Sequence, residues 1–440
     1  MLDAIIIGGG PSGSTLATYL ARQGHSVGVL ERERFPREHV GESLLPFTYD
    51  IFDDLGVLEE MKGRFSRKPG VTFSNVDGSR QSHWCFERVI EGPQSLSFHV
   101  RRAEFDNILL RNSEKNGAQV IEEARVTAID LEQNSVTYSD ATGKAHTLQA
   151  KFIIDASGQA AVMARKLKNQ KPFSRLNIRQ AISTHWKNVN NNASLAEKNI
   201  EIVHLGGEKL GWIWLIPLVD CLSIGVALNM SYAQEQRKKL VAEGHENWAQ
   251  ALYMQEILSS PEVASIIDGA EQEHEVNLNG DFSYYAEQKF GDNFAMVGDS
   301  AAFLDPIFSS GIYLGMKSGQ LLAQGISQAI QGHGTAAIAE CYDQLAQGYK
   351  VVEELICTFY QEESLSFSEL NGKEHFSFDH FESAYSILHL ILAGDFFTDA
   401  EKYLKAIQLL KKSDNLEKFK SLIGHGDARE LQKVCVNPNR

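Results

Sequence analysis

A short apolar run, Ala4-Ile5-Ile6-Ile7, leads directly into Gly8-Gly9-Gly10-Pro11-Ser12-Gly13 and then into a stretch with helical patterning. Strand, glycine turn and helix in that order open a Rossmann-like unit, and few other folds use the sequence this way. Gly8 permits the tight turn, Gly10 lets the backbone approach a pyrophosphate, and Gly13 lets the helix pack on the strand. The phosphates then lie at the helix N-terminus, where free amides and the helix dipole favour an anion. The next strand, Ser26-Val27-Gly28-Val29-Leu30, ends at Glu31, an acid placed to bond ribose hydroxyls and to repel a 2′-phosphate. The reading is a dinucleotide-binding α/β domain.

The chain has 440 residues, 43% of them hydrophobic and 22% charged, enough for a large core split into two or three packed lobes. No leader is expected before the first strand, and no apolar run approaches the roughly 20 residues that span a bilayer. The strongest candidate, Ser386 to Ala393, reads as a buried helix. A net charge of −15 argues against a nucleic-acid partner and gives no global attraction to an acidic membrane. Cys85, Cys221, Cys341, Cys357 and Cys435 lack C-x-x-C spacing, which fits a reducing cytoplasm rather than a disulfide framework and indicates no metal site. One basic stretch, Arg165, Lys166, Lys168, Lys171, Arg175 and Arg179, reads as a solvated face or as a place where an acidic protein docks.

The organisation follows from texture. Phe98 to Asp106 runs a strand end into a helix, strands are expected at 118–122 and 135–138, and Asp140 to Gly143 reads as a hairpin turn. Lys151 to Gly158 is a hydrophobic strand with a small-residue ending that lets backbone approach a cofactor. From 176 to 286 strands alternate with few crossover helices, which suggests an inserted antiparallel sheet facing the substrate. The expected division is therefore a discontinuous dinucleotide-binding domain at 1–175 with 287–335, a β-sheet lobe at 176–286, and a helical region at 336–440 covering the active site.

A second strand-to-helix junction, Phe294 to Val297 followed by Gly298-Asp299 and Asp305-Pro306-Ile307-Phe308-Ser309-Ser310-Gly311, completes the cofactor reading. Asp299 is placed for a ribityl chain. The amides of Ser310 and Gly311 open a helix and can hold an anion, although a plain cap by Ser309 or Ser310 explains the residues equally well. Two further peptides stand apart: Gly211-Trp212-Ile213-Trp214-Leu215-Ile216-Pro217 and Arg67-Lys68-Pro69-Gly70. Alone, the first reads as a strand ended by proline and the second as a solvated lysine.

Together, Gly8 to Gly13 with Glu31, Phe35 to Leu44, Arg102, Asp155 to Gly158 and Gly298 to Gly311 resemble the FAD-dependent monooxygenase superfamily of the p-hydroxybenzoate hydroxylase fold. Within it, Trp212-Ile213-Trp214-Leu215-Ile216-Pro217 resembles the W-x-W-x-I-P signature of flavin-dependent halogenases, and Lys68 stands where that family carries its essential lysine. The resemblance covers roughly residues 1–330. It implies FAD bound by Gly8, Gly10, Pro11, Ser12, Gly13, Glu31, Arg32, Ser43, Arg102, Asp155, Gly158, Gly298, Asp299, Pro306, Gly311 and Ile312, with chloride or bromide at Ser310 and Gly311.

The resemblance further implies that FADH2, supplied by a separate flavin reductase, reacts with oxygen and halide to give hypohalous acid. Lys68 would then capture or orient that oxidant for substitution on an electron-rich aromatic, while Trp212 and Trp214 keep flavin and substrate apart. Phe308 stands where the tryptophan halogenases place a glutamate, which points to phenolic or pyrrolyl substrates, free or tethered to an acyl or peptidyl carrier protein, in specialised metabolism. A hydroxylase, a geranylgeranyl-reductase-like enzyme and a non-catalytic flavoprotein are the competing readings on this fold.

Overall fold

The computed structural model describes residues 1–280, 283–361, 366–369, 384–409, 411 and 434–436. The chain divides into two compact units: Met1–Arg64 with Val100–Phe173 and Ser283–Lys350, and Phe65–His99 with Ser174–Phe282 and Val351–Arg440. Residues 65–99, grouped by sequence with the dinucleotide-binding part, thus fall in the second unit.

The first unit is built on a mixed sheet in the order Phe290–Gly291, Phe294–Met296, Ala145–Asp155, Leu2–Ile7, Val27–Leu30 and Gln119–Ile121. Its central strands run parallel, with Ile6 opposite Ile154 on one side and Val29 on the other. Burial on both faces explains the unbroken Ala4 to Ile7 run, all of it in the core. Arg125–Asp130 and Ser135–Ser139 form an antiparallel extension, and the expected turn at 140–143 joins the second of these to Ala145–Asp155. The helices Pro11–Arg22 and Ser310–Ile330 approach so closely that a Cβ on Gly315 would lie 2.4 Å from Ser12 Oγ.

The second unit carries a sheet in the order Glu271–Gln272, Arg179–Lys187, Leu222–Asn229, Gly211–Pro217, Ile200–Leu205, Gly70–Asn75 and Gln81–Cys85. Its pairs are antiparallel except Ile200–Leu205 with Gly70–Asn75. One face packs Ile182, Ile213, Leu215, Ile224 and Val226 into a core with Leu240, Leu252, Tyr253 and Val263. Those last four come from the helices Met230–Ala242, Trp248–Ile257 and Pro261–Ile266, which follow the strand Leu222–Asn229; between Arg179–Lys187 and that strand the one α-helix among the described residues is the short Ala193–Ala196. Their pattern was faint because Met230–Ala242 buries only Ala233 and Leu240.

The thiol expectation is also corrected, because Cys85 and Cys435 form a disulfide across 350 residues of sequence, while Cys221, Cys341 and Cys357 are free. Ser386 to Ala393 lies in the helix Ala384–Ala393, with Ile387, Leu388, Ile391 and Leu392 buried as expected. Of the helical region at 336–440, the part beyond 411 lies outside the described residues apart from 434–436. Among the described residues, no helix is long and apolar enough to cross a membrane.

Candidate active site

In the first unit, Gly8 sits at φ +109°, and a Cβ there would lie 2.3 Å from the Ala156 carbonyl oxygen. A Cβ on Gly13 would lie 2.1 Å from the Gly8 carbonyl oxygen, so both positions require glycine. The turn thus passes directly over the end of Ala145–Asp155, as the strand-turn-helix reading requires. Glu31 is buried and its carboxylate accepts from the Gly9 amide at 2.8 Å and the Glu33 amide at 2.9 Å. The acid therefore braces the glycine loop as well as standing at the end of its strand. Pro11 opens the helix at its first turn.

Arg102 clamps the neighbouring loop. It binds Asp106 in a bidentate pair at 2.7 and 2.8 Å and donates to the Val40 carbonyl at 2.6 Å, while Arg37 reaches the same carboxylate at 2.7 Å. Beside that loop the buried Ser43 hydroxyl makes no hydrogen bond. Half-buried Asp299 follows Gly298, and burial pushes its carboxyl up to about 7 against the pull of Arg102. Ser309 adopts the left-handed conformation and Ser310 starts the helix Ser310–Ile330, so the first amides of that helix have no partner within it. A Cβ on Gly311 would meet nothing within 4 Å.

These features fit FAD. The loop can approach a pyrophosphate, Ser43 is an orphaned polar group, and Asp299 is an acceptor whose burial calls for a partner. Besides Glu31 and Arg102, two more of the expected cofactor residues are engaged within the protein: Asp155 accepts from the Ser157 and Met163 amides at 2.9 and 2.6 Å, and exposed Arg32 pairs with Glu33 at 3.1 Å. Gly158 lies at φ +61° with open space beside it.

In the second unit, Lys68 ends the short strand Ser66–Lys68, which pairs with Ser97–His99. Its side chain is 2% exposed and its ammonium lies 5.4 Å from the Phe86 ring centroid. Burial lowers its pKa from 10.5 to about 7. An amine with that pKa is half neutral at physiological pH, so it carries a lone pair that an ordinary lysine lacks.

Trp212 and Trp214 share one face of Gly211–Pro217, with ring centroids 5.2 Å apart, while Ile213 and Leu215 turn to the core on the other face. Both indoles are buried. Trp214 donates to Ser223 Oγ at 3.3 Å; the Trp212 N–H makes no hydrogen bond.

The basic stretch is not one face. Arg165, Lys166, Lys168 and Lys171 are exposed, but Arg175 pairs with Glu354 at 2.7 Å, and Arg179 is buried with its guanidinium 3.4 Å from the Tyr360 ring centroid. Sequence reasoning missed two buried groups in the second unit. His99 lies on the strand beside Lys68. Glu201, buried between strands and bonded by Asn192 at 2.8 Å, is raised to about 7 by burial and then by Glu262. Neither stands in a motif; strand register alone puts the first beside the lysine.

The first unit defines an FAD-binding protein, and a family model described as the FAD binding domain matches residues 1–356. The tryptophan 2-halogenase of Chondromyces crocatus is 34% identical over 81% of this chain and 67% of its own. A 1H-pyrrole-2-carbonyl-[peptidyl-carrier protein] brominase of Pseudoalteromonas luteoviolacea is 31% identical over 81% of this chain and 85% of its own. The solved structure of the flavin-dependent brominase Bmp2 is similar with a TM-score of 0.78 at 27% identity, covering 96% of this chain and 99% of that one. The chain belongs to the flavin-dependent halogenases of this FAD-binding family. It is an enzyme that uses FAD together with chloride or bromide.

Proposed function

We propose that this halogenase delivers hypohalous acid through Lys68 to an electron-rich pyrrolyl or phenolic ring, carried as a thioester on a peptidyl or acyl carrier protein. The observation that carries the reading is the burial of the Lys68 amine, which lowers its pKa toward neutrality. When bound, reduced FAD would activate dioxygen, the oxidant that turns halide into hypohalous acid, and the cofactor would be held by the Gly8 to Gly13 loop, Ser43, Arg102 and Asp299. The open amides of Ser310 and Gly311 offer the halide a positive helix end. Lys68 then holds the oxidant, by hydrogen bonding or as a haloamine, for attack by the ring. Trp212 and Trp214 serve as the apolar barrier that excludes water and keeps the organic substrate from the cofactor. FADH2 would come from a separate flavin reductase, as part of specialised metabolism.

The carrier-bound pyrrolyl substrate is supported by the brominase relative, and the exposed part of the basic stretch, Arg165 to Lys171, offers an acidic carrier a contact. A second reading, free tryptophan, is favoured by the 34% identical tryptophan 2-halogenase. The enzyme with a flavin reductase, NADH, oxygen and bromide should brominate pyrrolyl-carrier protein, a phenol or tryptophan, and mass spectrometry of the three arms identifies the substrate. Lys68→Met should abolish product. Oxygen insertion without halogen in every arm would sink the proposal.

A further inference from the structure

In the antiparallel pair Ser66–Lys68 with Ser97–His99, Lys68 lies opposite Ser97 and Ser66 opposite His99. Opposed residues share a face, so Lys68, Ser97 and His99 stand together on one side, and Arg67 and Phe98 on the other. The other side is confirmed by the Arg67 guanidinium, 5.1 Å from the Phe98 ring centroid. On the lysine face both neighbours are buried: Ser97 is 2% exposed and His99 is 1% exposed. Both also carry an atom with no hydrogen bond, Ser97 Oγ and His99 Nδ1.

The tautomer of His99 follows from its other nitrogen. Nε2 lies 3.0 Å from the Lys198 carbonyl oxygen, which can only accept, so Nε2 bears the hydrogen. In the neutral ring Nδ1 is then a bare lone pair. Neutrality is enforced by burial and then by the cationic neighbours Lys68 and Lys198, which hold the imidazole well below its usual pKa. A buried lone pair without a donor is costly; the donors on its own face of the strand pair are the Lys68 amine and the hydroxyls of Ser66 and Ser97, and of these the long lysine side chain has the widest reach.

We propose that His99 is a positioning residue for Lys68, its Nδ1, which has no partner among the described residues, taking a hydrogen bond from the lysine nitrogen by side-chain rotation and fixing the direction in which that nitrogen presents itself to the oxidant. The inference rests on the reading of Lys68 given above. In the neutral amine, one N–H held by His99 leaves the lone pair turned away from the imidazole. As that lone pair attacks the halogen of HOX, the N–X bond forms as X–O breaks, and the departing hydroxide takes an amine proton as water. The halogen keeps its oxidation state, and His99 keeps its Nε2 proton throughout. Because an N–H bond to a neutral acceptor also favours the charged lysine, His99 opposes the desolvation that lowers the Lys68 pKa.

Two substitutions separate this role from a structural one. Asn at 99 places an acceptor near the position of Nδ1, whereas Gln at 99 places a donor near that of Nε2, where it can still bind the Lys198 carbonyl. Competitive acetic anhydride labelling of the cofactor-free protein, read by peptide mass spectrometry, gives the Lys68 pKa without turnover. The inference expects His99→Leu and His99→Gln to lower that pKa and to cut product formation at least 10-fold, and His99→Asn to restore both in large part. Restoration by Gln with failure of Asn, or a Lys68 pKa that is the same in all four proteins, would overturn it. Should a variant fold poorly by circular dichroism, the Asn and Gln pair is compared at matched folded fraction. If Lys68→Met retains halogenation, the reading of Lys68 itself fails; if Lys68→Met is inactive while the His99 series is flat, only the role of His99 fails.

Discussion

Gly225 lies directly beneath the indole of Trp214: the two are register partners in adjacent strands, and a Cβ on Gly225 would fall 2.1 Å from the ring. No side chain fits while the indole stays where it is. Gly225→Ala should therefore cost about 1–3 kcal/mol in denaturant unfolding, the usual cost of overpacking. It should also lower halogenation by displacing Trp214. Trp214→Leu in the same background should recover much of the stability and none of the activity. Additive losses in that double-mutant cycle would show that the two residues do not interact.

Lys68 illustrates a stability cost held at a reactive group. Its folded pKa of about 7 lies below the ordinary 10.5, so the unfolded chain binds the extra proton between those values. The cost is complete below pH 7 and disappears as pH rises toward 10.5. Lys68→Met should thus be inactive yet more stable at pH 6.5, on the order of a few kcal/mol, with the advantage shrinking by pH 10. Turnover of the wild type should rise with pH through about 7, as the amine is uncovered. Equal melting temperatures for both proteins across that range would contradict the assignment.

Glu201 titrates with the opposite sign. Burial and Glu262 raise its folded pKa to about 7 from 4.5, so the native state binds the extra proton in that window. Stability is lost as pH climbs from 4.5 to 7, and the full cost is present above. Glu201→Gln mimics the protonated acid and can keep the bond from Asn192, so it should raise the melting temperature at pH 8 and leave it unchanged near pH 4.5. A gain of the same size at both pH values would argue against titration of this carboxyl.

The cofactor half of the site was readable because each glycine answers a local steric demand. Gly8 and Gly13 touch backbone within a few residues of the turn or at the strand end that the turn crosses, and such demands leave a linear signature. Gly225 has the same stringency but meets Trp214 only through strand pairing, and His99 shares a face with Lys68 only through the pairing of their strands, so neither has a motif. The parallel pair between Ile200–Leu205 and Gly70–Asn75 escaped notice for the same reason: register over that distance is a property of the folded sheet. Arg179 shows the converse. Its place in a run of basic residues suggested a surface, whereas a cation over the Tyr360 ring is buried.

Ser43 allows cofactor binding to be separated from folding. Its hydroxyl is buried without a hydrogen bond, so removing it should leave the cofactor-free protein as stable or slightly more so. If FAD supplies the missing partner, Ser43→Ala should weaken FAD binding about 5- to 10-fold, the loss of one hydrogen bond of about 1 kcal/mol. Fluorescence titration of FAD together with the melting temperature of the cofactor-free protein tests both halves. Unchanged affinity would show that the hydroxyl faces no cofactor group.

The disulfide between Cys85 and Cys435 ties the chain near its C-terminus to the strand Gln81–Cys85, whose last residue pairs with Gly70. The carbonyl of Cys435 also accepts from Asn199 at 2.9 Å, and a Cβ on Gly70 would lie 2.6 Å from Cys435 Sγ. The sulfur therefore fills a space beside the strand that follows Lys68, and its attachment restricts the unfolded chain more than the native one. Loop entropy for so long a closure gives roughly 6 kcal/mol as an upper figure, and Cys85→Ser with Cys435→Ser should lose about 2–5 kcal/mol, the usual cost of removing a native disulfide. Cysteine, unlike serine, also packs as a small hydrophobe, so the double variant should fall slightly below the reduced wild type. Peptide mapping without reductant should recover Cys85 and Cys435 linked and Cys221, Cys341 and Cys357 as thiols. Five free thiols in freshly purified, alkylated protein would show that the bond does not form under those conditions, and the stability of the variant would then match the wild type to within the packing difference.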